Sequence, residues 1–518
     1  MRRPQGLVTP RKIWQLSTDY RRATHARLLT LEIPSLLIKR FYHEGLAQAS
    51  YLIGCQRKGE ALVIDANRDA DQYIAAATAE GLRITHVTET HIHADYLSGS
   101  RELASHTGAT LLLSAEGGPD WQYAFATQSR ATLLHDGDWF MVGNVRVEVV
   151  HTPGHTPEHL TFVVTDTAAT PHPVGAFTGD FIFVGDVGRP DLLERAAKVV
   201  GTMRIGAAQL YASLKRFAER FPDHLQLWPG HGSGSACGKA LGAVPQTTLG
   251  YEKLVNWAFQ VPDEATFVES VLEGQPDPPL YFATMKRLNR DGPPILGAAP
   301  RLTHRAAPEL ERILNHGGIV IDVRPSSEYA SGYVPGTISL PFSKSFVGWA
   351  GWILPYDRDV FLLSRDIDDA SVRAAAAELA MIGIDRVAGW FGSDAVSAWI
   401  WKNGELPNVP QMAPSELAGV RGQDRVVVID VRNQDEWDAG HIQGASHVPL
   451  GHLLERYSTL PVHGASRVIV QCAGGGRSNI GASLLRAKGV AAENLRGGLA
   501  EWERDGFPVV RDGVAATR

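Results

Sequence analysis

At 518 residues, 44% of them apolar and 20% charged, the chain has an ordinary globular composition but is too long for one core, and a prior of roughly 150 residues per domain calls for about three. Fifty basic residues against 56 acidic ones leave a net charge of −6, which argues against a nucleic-acid binder working by bulk electrostatics. Three cysteines, Cys55, Cys237 and Cys472, are too few and too scattered for a disulfide framework. That cysteine usage fits a reducing cytoplasm, which is the expected location, and no apolar run nears the ~20 residues of a membrane span.

Residues 1–37 carry Arg2, Arg3, Arg11, Lys12, Arg21, Arg22 and Arg27 against Asp19 and Glu32. An organellar presequence has that balance and so does a solvated tail; a flexible extension is the expectation. Residues 61–65 read as a strand ending in Asp65, an acid suited to bracing a loop by hydrogen bonding, 70–80 as a helix, and 84–89 as a buried strand. That strand runs into Thr90-His91-Ile92-His93-Ala94-Asp95-Tyr96. Two imidazoles at i and i+2 where a strand ends project to the same side, so both can reach one metal, with Asp95 near enough to ligate or orient. Strands at 110–113, 145–150 and 160–164 follow, the second opening into His151-Thr152-Pro153-Gly154-His155-Thr156. Thr178-Gly179-Asp180 ends another apolar strand, a helix covers 207–220, and Trp228-Pro229-Gly230-His231-Gly232 ends a further strand. Histidines and an aspartate at successive strand ends outline a metal site.

The order and spacing of these motifs resemble the metallo-β-lactamase superfamily over about residues 38–285, which implies an αββα sandwich of two sheets between helices. In that superfamily's dinuclear hydrolases, such as glyoxalase II, a His follows the motif's Asp and holds a second metal; here the residue is Tyr96. A phenol with a pKa near ~10 is a poor ligand for a divalent ion, so one metal is expected. The persulfide dioxygenase branch is the closer resemblance. It implies one mononuclear non-haem Fe(II) held by His91, His155 and Asp180, with His93, Asp95, Tyr96 and His231 orienting ligands and waters. Zn remains chemically possible with the same donors. Arg189, in Gly185-Asp186-Val187-Gly188-Arg189-Pro190-Asp191, falls where the family grips the thiol's carboxylate, although Asp186 or Asp191 could claim its guanidinium instead. Cys237 resembles a cysteine of dioxygenase–rhodanese fusion proteins, and a buried inert thiol is the competing reading.

Asp291-Gly292-Pro293-Pro294 and Gly297-Ala298-Ala299-Pro300 read as a linker over 286–300. Beyond it the chain repeats itself at an offset of 108: Ile321-Asp322-Val323-Arg324 recurs as Ile429-Asp430-Val431-Arg432, Glu328 as Glu436, Gly332 as Gly440, Gly336 as Gly444 and Pro341 as Pro449. A constant offset across several markers means two copies of one domain, 301–405 and 406–518.

In the second copy a strand at 467–471 enters Cys472-Ala473-Gly474-Gly475-Gly476-Arg477-Ser478. Glycines let the backbone curl so that N–H groups converge on the thiol, and the following helix adds positive potential, which makes Cys472 a good nucleophile. This loop, with the Asp-Val-Arg strand, resembles the α/β rhodanese family of sulfurtransferases. The resemblance implies that Cys472 carries a sulfane sulfur, that Arg477 acts beside it, and that Gly474, Gly475, Gly476 and Ser478 bind substrate. Subtracting the offset puts Ser364 in the cysteine's position, followed by Arg365-Asp366-Ile367-Asp368-Asp369; carboxylates without glycines would repel a persulfide anion. The first copy is read as an inactive rhodanese fold.

Together the resemblances imply oxidation of a low-molecular-weight thiol persulfide (of glutathione, coenzyme A or bacillithiol type) by O2 to sulfite and thiol, with Cys472 forming or consuming thiosulfate. No nucleic acid or membrane partner is expected, and a homo-oligomer is. The alternatives are a glyoxalase II-like thioester hydrolase and a sulfur-relay protein without oxygenase activity. Removing residues 1–36 is expected to leave turnover intact in a steady-state assay; a large loss would count against a dispensable extension.

Overall fold

A computed structural model describes residues 35–195, 201–239, 241–297, 302–365 and 370–511. The N-terminal extension up to residue 34, Asp366 to Asp369 of the first repeat, and residues 298–301 lie outside the described residues.

Two six-stranded sheets form the first half. One runs in chain order through β1 (Leu36–His43), β2 (Gln48–Cys55), β3 (Glu60–Ile64), β4 (Arg83–Thr88), β5 (Thr110–Ser114) and β6 (Thr132–Leu134). The other holds β7 (Trp139–Val142), β8 (Val145–His151), β9 (Leu160–Asp166), β10 (Gly175–Gly179), β11 (Gln226–Pro229) and β12 (Thr247–Thr248), again neighbour to neighbour. Side chains alternate between faces, and β3 illustrates the consequence. Leu62 and Ile64 join Val147, Val149, Leu160 and Phe162 between the sheets, whereas Ala61 and Val63 pack outward with Tyr73 and Ala77 of the helix Ala70–Ala79. On the far side Leu210, Leu214 and Phe217 of the helix Thr202–Arg220 cover the second sheet. The expected αββα sandwich is therefore present.

The expected linker over 286–300 is corrected at its start. The helix Phe282–Asp291 runs through that boundary and buries Met285 and Asn289 against the first half. From there Pro293 and Pro294 offer carbonyls to Arg101 and Arg68. Gly-Pro chemistry marks the end of a helix here, as it does in general.

The repeat read from the sequence is a repeat in space. β13 (Ile319–Asp322), β14 (Ile338–Ser339), β15 (Val360–Leu363) and β16 (Val387–Phe391) form a sheet in the order β14-β13-β15-β16. β17 (Gln411–Met412), β18 (Val426–Asp430), β19 (Ser446–His447), β20 (Arg467–Gln471) and β21 (Ala492–Leu495) form the order β17-β21-β20-β18-β19. Read from its other edge this is the same sheet, and the β17 to β21 pairing has its counterpart in a bridge between His304 and Trp390. In both copies the Arg of Asp-Val-Arg folds back on its Asp: Arg324 on Asp322 at 2.6 Å and Arg432 on Asp430 at 2.7 Å. Each also ties down the next turn through a carbonyl, Gly332 or Gly440. One apolar cluster links the three parts, joining Tyr96 and Met285 to Phe346 and Leu379 and on to Val470 and Ile480.

Asp322 is fully buried, so Arg324→Ala strands a carboxylate in the core. The expected cost is about 3–5 kcal/mol, read as a lowered denaturant midpoint with unchanged chemistry at Cys472. A loss under about 1 kcal/mol would mean that the pair behaves like a surface ion pair.

Candidate metal centre and sulfur-transfer loop

The motifs singled out in the sequence meet at one end of the two sheets. β4, β8, β10 and β11 all end there, and the loops that leave them carry His91 to Tyr96, His155, Asp180 and His231. The turn after β10 needs Gly179, at φ +48°, because a Cβ would lie 2.5 Å from Thr90 Oγ1 and 2.8 Å from His159 Nε2. Glycine adopts that conformation freely and lets Asp180 enter the site.

His91, His155 and Asp180 are buried, and their donor atoms lie within 4.8 Å of one another. His155 Nε2 stands 3.4 Å from Asp180 Oδ2, and His91 Nε2 3.9 Å from it. Neither oxygen of Asp180 has a hydrogen-bond partner. An orphaned buried carboxylate is costly, and two imidazoles converging on it complete a set of cation donors. Burial and the positive fields of neighbouring imidazoles hold His91 and His155 far below their usual range, in the neutral form that ligates a metal. Burial pushes the Asp180 carboxyl up to about 6, against the pull of His231. The residues fit a divalent ion.

His93 behaves differently. Burial opposes its charge, but the Asp65 carboxylate at 3.1 Å outweighs this and carries it up to about 9. A doubly protonated imidazole cannot ligate. Asp65 also accepts from the Thr90 amide at 2.7 Å and from its hydroxyl at 2.9 Å, and its carbonyl receives the Tyr96 hydroxyl at 3.1 Å. Asp65 thus braces the loop by hydrogen bonding.

Asp95 and His231 converge with Cys237 into a second group whose donor atoms also lie within 4.8 Å. His231 Nδ1 donates to the Ala47 carbonyl at 3.1 Å, which aims Nε2 at Asp95 Oδ2 (3.3 Å) and Asp180 Oδ1 (3.4 Å). Burial first, then the charges of Asp95 and Asp180, push the Cys237 thiol far up. The sequence linked Cys237 to the metal loop only by resemblance; the fold brings them together.

The role expected for Arg189 is corrected. Its side chain is wholly buried, and each guanidinium nitrogen has a partner inside the protein: Asp191 at 3.0 and 2.7 Å, the Ala236 carbonyl at 2.9 Å and the Pro276 carbonyl at 2.6 Å. Asp191 claims the fork, and the arginine fastens the loop that carries Cys237.

Three supports escaped the sequence reading. Glu158 Oε1 accepts the Ile92 amide at 2.8 Å; His159 Nε2 accepts the Asp180 amide at 3.1 Å. Asn289 donates to the His93 and Tyr96 carbonyls, both at 2.8 Å, and accepts the Ser98 amide at 2.9 Å. The signal for the first two was the Glu158-His159 pair just beyond His155; Asn289 left none.

In the second repeat Cys472 follows β20 directly and is buried, its Sγ receiving the Gly475 amide at 3.1 Å and the Ser478 hydroxyl at 3.3 Å. Gly475 takes φ +91° to aim that amide. Arg477 is held by a two-pronged bond to Glu436, both contacts 2.6 Å. Ser364 follows β15 in the same register, 3.2 Å from Ser371 Oγ. Gly474, Gly476 and Arg477 line a cavity of about 430 Å³ at Cys472.

The first repeat touches both sites. The Leu97 amide, on the metal loop, donates to the Met381 carbonyl at 2.7 Å, and Arg68 pairs with Asp385 at 2.6 Å. A Cβ on Gly351, in the helix Phe346–Ile353, would lie 2.5 Å from the Tyr281 ring, and Phe346 and Trp349 of that helix wall the Cys472 cavity.

Residues 43–231 match the family described as metallo-beta-lactamase superfamily, and residues 413–505 match the rhodanese-like domain. A crystal structure of a metallo-beta-lactamase from Staphylococcus aureus subsp. aureus COL is 43% identical, with a TM-score of 0.64, and covers 69% of this chain and 99% of its own. The mitochondrial persulfide dioxygenase ETHE1 of Mus musculus is 30% identical over 204 residues, which is 38% of this chain and 68% of that protein. A probable metallo-hydrolase of Burkholderia pseudomallei (strain 1710b) is 31% identical over 180 residues, 30% of this chain; the chain spans 60% of that relative's length. Among the described residues no helix is long and apolar enough to cross a membrane. With an αββα sandwich around a His–His–Asp group at one end and a cysteine loop in a repeated α/β fold at the other, the chain belongs to the metallo-β-lactamase superfamily, as a homologue of the persulfide dioxygenases fused to a C-terminal rhodanese-like domain.

Proposed function

We propose that the chain oxidises a low-molecular-weight thiol persulfide to sulfite and thiol at a mononuclear Fe(II) centre, and exchanges sulfane sulfur with thiosulfate through Cys472. The observation that carries the first half is the pairing of the His91–His155–Asp180 group with a spent Tyr96, whose hydroxyl is bound to the Asp65 carbonyl. Two imidazoles and one carboxylate on one face suit Fe(II): His91, His155 and Asp180 would hold it, and it would supply activation of dioxygen for oxidation of the persulfide. The chain's own residues fix that face: Asp65, Glu158, His159 and Asn289 hold the ligand loops from behind, and Arg189 holds the Cys237 loop. O2 supplies two of the three oxygens of sulfite and one water supplies the third as the S–S bond is cleaved and the thiol leaves.

The second half rests on Cys472 and its two donors. Sulfite from the first site attacks the outer sulfur of a Cys472 persulfide; the new S–S bond forms as the old one breaks, and Cys472 departs as a thiolate stabilised by the Gly475 amide and Ser478 hydroxyl. Run backwards, the same step loads Cys472 from thiosulfate. Keeping both steps on one chain limits escape of sulfite. In this reading residues 38 to about 291 form the dioxygenase, 302–405 an inactive rhodanese fold and 406–518 the active one, in a cytoplasmic homo-oligomer using a glutathione, coenzyme A or bacillithiol carrier.

The Asp95–His231–Cys237 group beside Asp180 favours one rival, a dinuclear thioester hydrolase. Metal analysis separates the two: one iron per chain supports the dioxygenase, two bound ions with thioester turnover the hydrolase. Protons and metal compete for Asp180, whose carboxyl sits at about 6. Below that pH the apparent affinity for Fe(II) is expected to fall about tenfold per unit in anaerobic equilibrium dialysis; loading unchanged at pH 4.5 would remove Asp180 from the ligand set.

Anaerobically purified, iron-loaded protein is expected to take up oxygen on adding a fresh thiol persulfide, and to release sulfite and thiosulfate. Cys472→Ser is expected to keep the oxygen uptake and lose thiosulfate turnover. No uptake at full iron loading would refute the dioxygenase, and undiminished thiosulfate formation in the variant would refute the role of Cys472.

A further inference from the structure

Three hydrogen bonds tie the metal loop and its brace to one turn of the first repeat. The helix Ala370–Met381 ends in that turn, which runs from Ala380 to Asp385. The Met381 carbonyl accepts the Leu97 amide at 2.7 Å. Arg68, which is buried, donates through Nη1 to the Ala380 carbonyl at 3.2 Å and to Asp385 Oδ1 at 2.6 Å. Between these contacts Gly383 takes φ +75°, and a Cβ there would lie 3.3 Å from both Leu97 Cδ2 and Met285 Cε.

Both anchor points belong to the scaffold of the metal group. Leu97 follows Tyr96 directly, at the end of the loop that starts at His91. Arg68 closes the segment that opens with Asp65, whose carboxylate and carbonyl hold Thr90, His93 and Tyr96. The two strips are bonded to each other as well: the Gly99 amide donates to the Ala66 carbonyl at 2.8 Å, and Asn67 forms a bridge with Ser98. A buried guanidinium is costly without an anion beside it, and here the anion comes from another domain.

The second repeat builds the same turn without the contact. Gly489 takes φ +83° where Gly383 takes +75°, and the Val490 amide donates to the Leu485 carbonyl at 3.0 Å as the Ile384 amide does to Leu379 at 3.0 Å. Ala491 stands in the place of Asp385. There Ala487, Lys488, Gly489 and Ala491 are exposed, whereas Met381 and Ile382 are buried. The turn forms with or without an acid, so what Asp385 adds is its hold on Arg68.

We propose that Asp385 and the turn that bears it are positioning elements of the metal centre, through which the first repeat sets the affinity of the His91–His155–Asp180 group for its ion. The proposal rests on that group being a metal site. A ligand loop held in its binding arrangement binds at its intrinsic affinity. Freed from the turn, only a fraction of the molecules present the three ligands together, and the apparent affinity falls by that fraction. Linkage makes the effect mutual, so a bound ion holds the turn more firmly against the loop.

The test is anaerobic equilibrium dialysis of the full chain against Fe(II), with amide hydrogen exchange measured on the same samples. Asp385→Ala is expected to weaken Fe(II) binding about tenfold or more, and Asp385→Asn, which keeps an acceptor facing Arg68, by less than about threefold. Arg386→Ala removes an ion pair with Asp359 at 2.7 Å inside the first repeat; it is expected to leave Fe(II) binding within about twofold. In wild type, Fe(II) is expected to slow exchange over residues 380–385 as well as over 91–98. Wild-type affinity in Asp385→Ala, an equal loss in Arg386→Ala, or exchange over 380–385 that Fe(II) leaves unchanged would overturn the positioning role. Wild type that binds no Fe(II) would instead overturn the metal centre, and with it the proposal.

Discussion

Asp95 and Asp180 bring four buried carboxylate oxygens together in one pocket, with His231 Nε2 3.3 Å from Asp95 and 3.4 Å from Asp180. Leaving buried charge uncompensated costs several kcal/mol, so the rest of the fold must supply the neighbours that make such a pocket tolerable. It does this by division of labour. Backbone amides of the ligand loops go to other acceptors, Thr90 to Asp65, Ile92 to Glu158 and Asp180 to His159, so none is available to quench the converging oxygens. What points inward is left for a cation, and binding it is coupled to holding four strand ends in register.

The two repeats separate chemistry from architecture within one chain. Both keep the Asp-Arg fold-back and the carbonyl it fastens, although only one keeps a cysteine. Those pairs therefore belong to the fold. The copy with Ser364 at the cysteine's position presents two faces: one meets the metal loop through Leu97 and Met381, another walls the Cys472 cavity through Phe346 and Trp349.

Much of this was legible in the sequence because the informative residues sit in short motifs at strand ends, where a period of two decides which side chains share a face. The strand-end motifs and the glycine loop after β20 stood out that way, the choice of His91, His155 and Asp180 as one ligand set came from the family resemblance, and the offset of 108 pointed to the repeat. Long-range partners were not legible. Asn289 holds a loop 193 residues earlier, and nothing in its own neighbourhood, a short helix before Gly-Pro-Pro, distinguishes it from a linker. Arg189 failed for the opposite reason, since Asp186, Asp191 and a substrate all offer partners and only packing chooses among them. Cys237 sits in a Gly-Ser loop whose path no periodicity constrains, so its approach to Asp95 and His231 had to be seen.

A second cleft, beside Cys472, is shared among Ser327 and Ser331 of one repeat, Asn408 between them and Asn494 of the other. The architecture reads as beads on a string, yet this concavity exists only when two beads touch. An excised second repeat would keep its cysteine, its two donors and its strand order, and would lose half of its walls. Substitutions in the first repeat can therefore reshape a cleft beside Cys472 without altering any residue of the second.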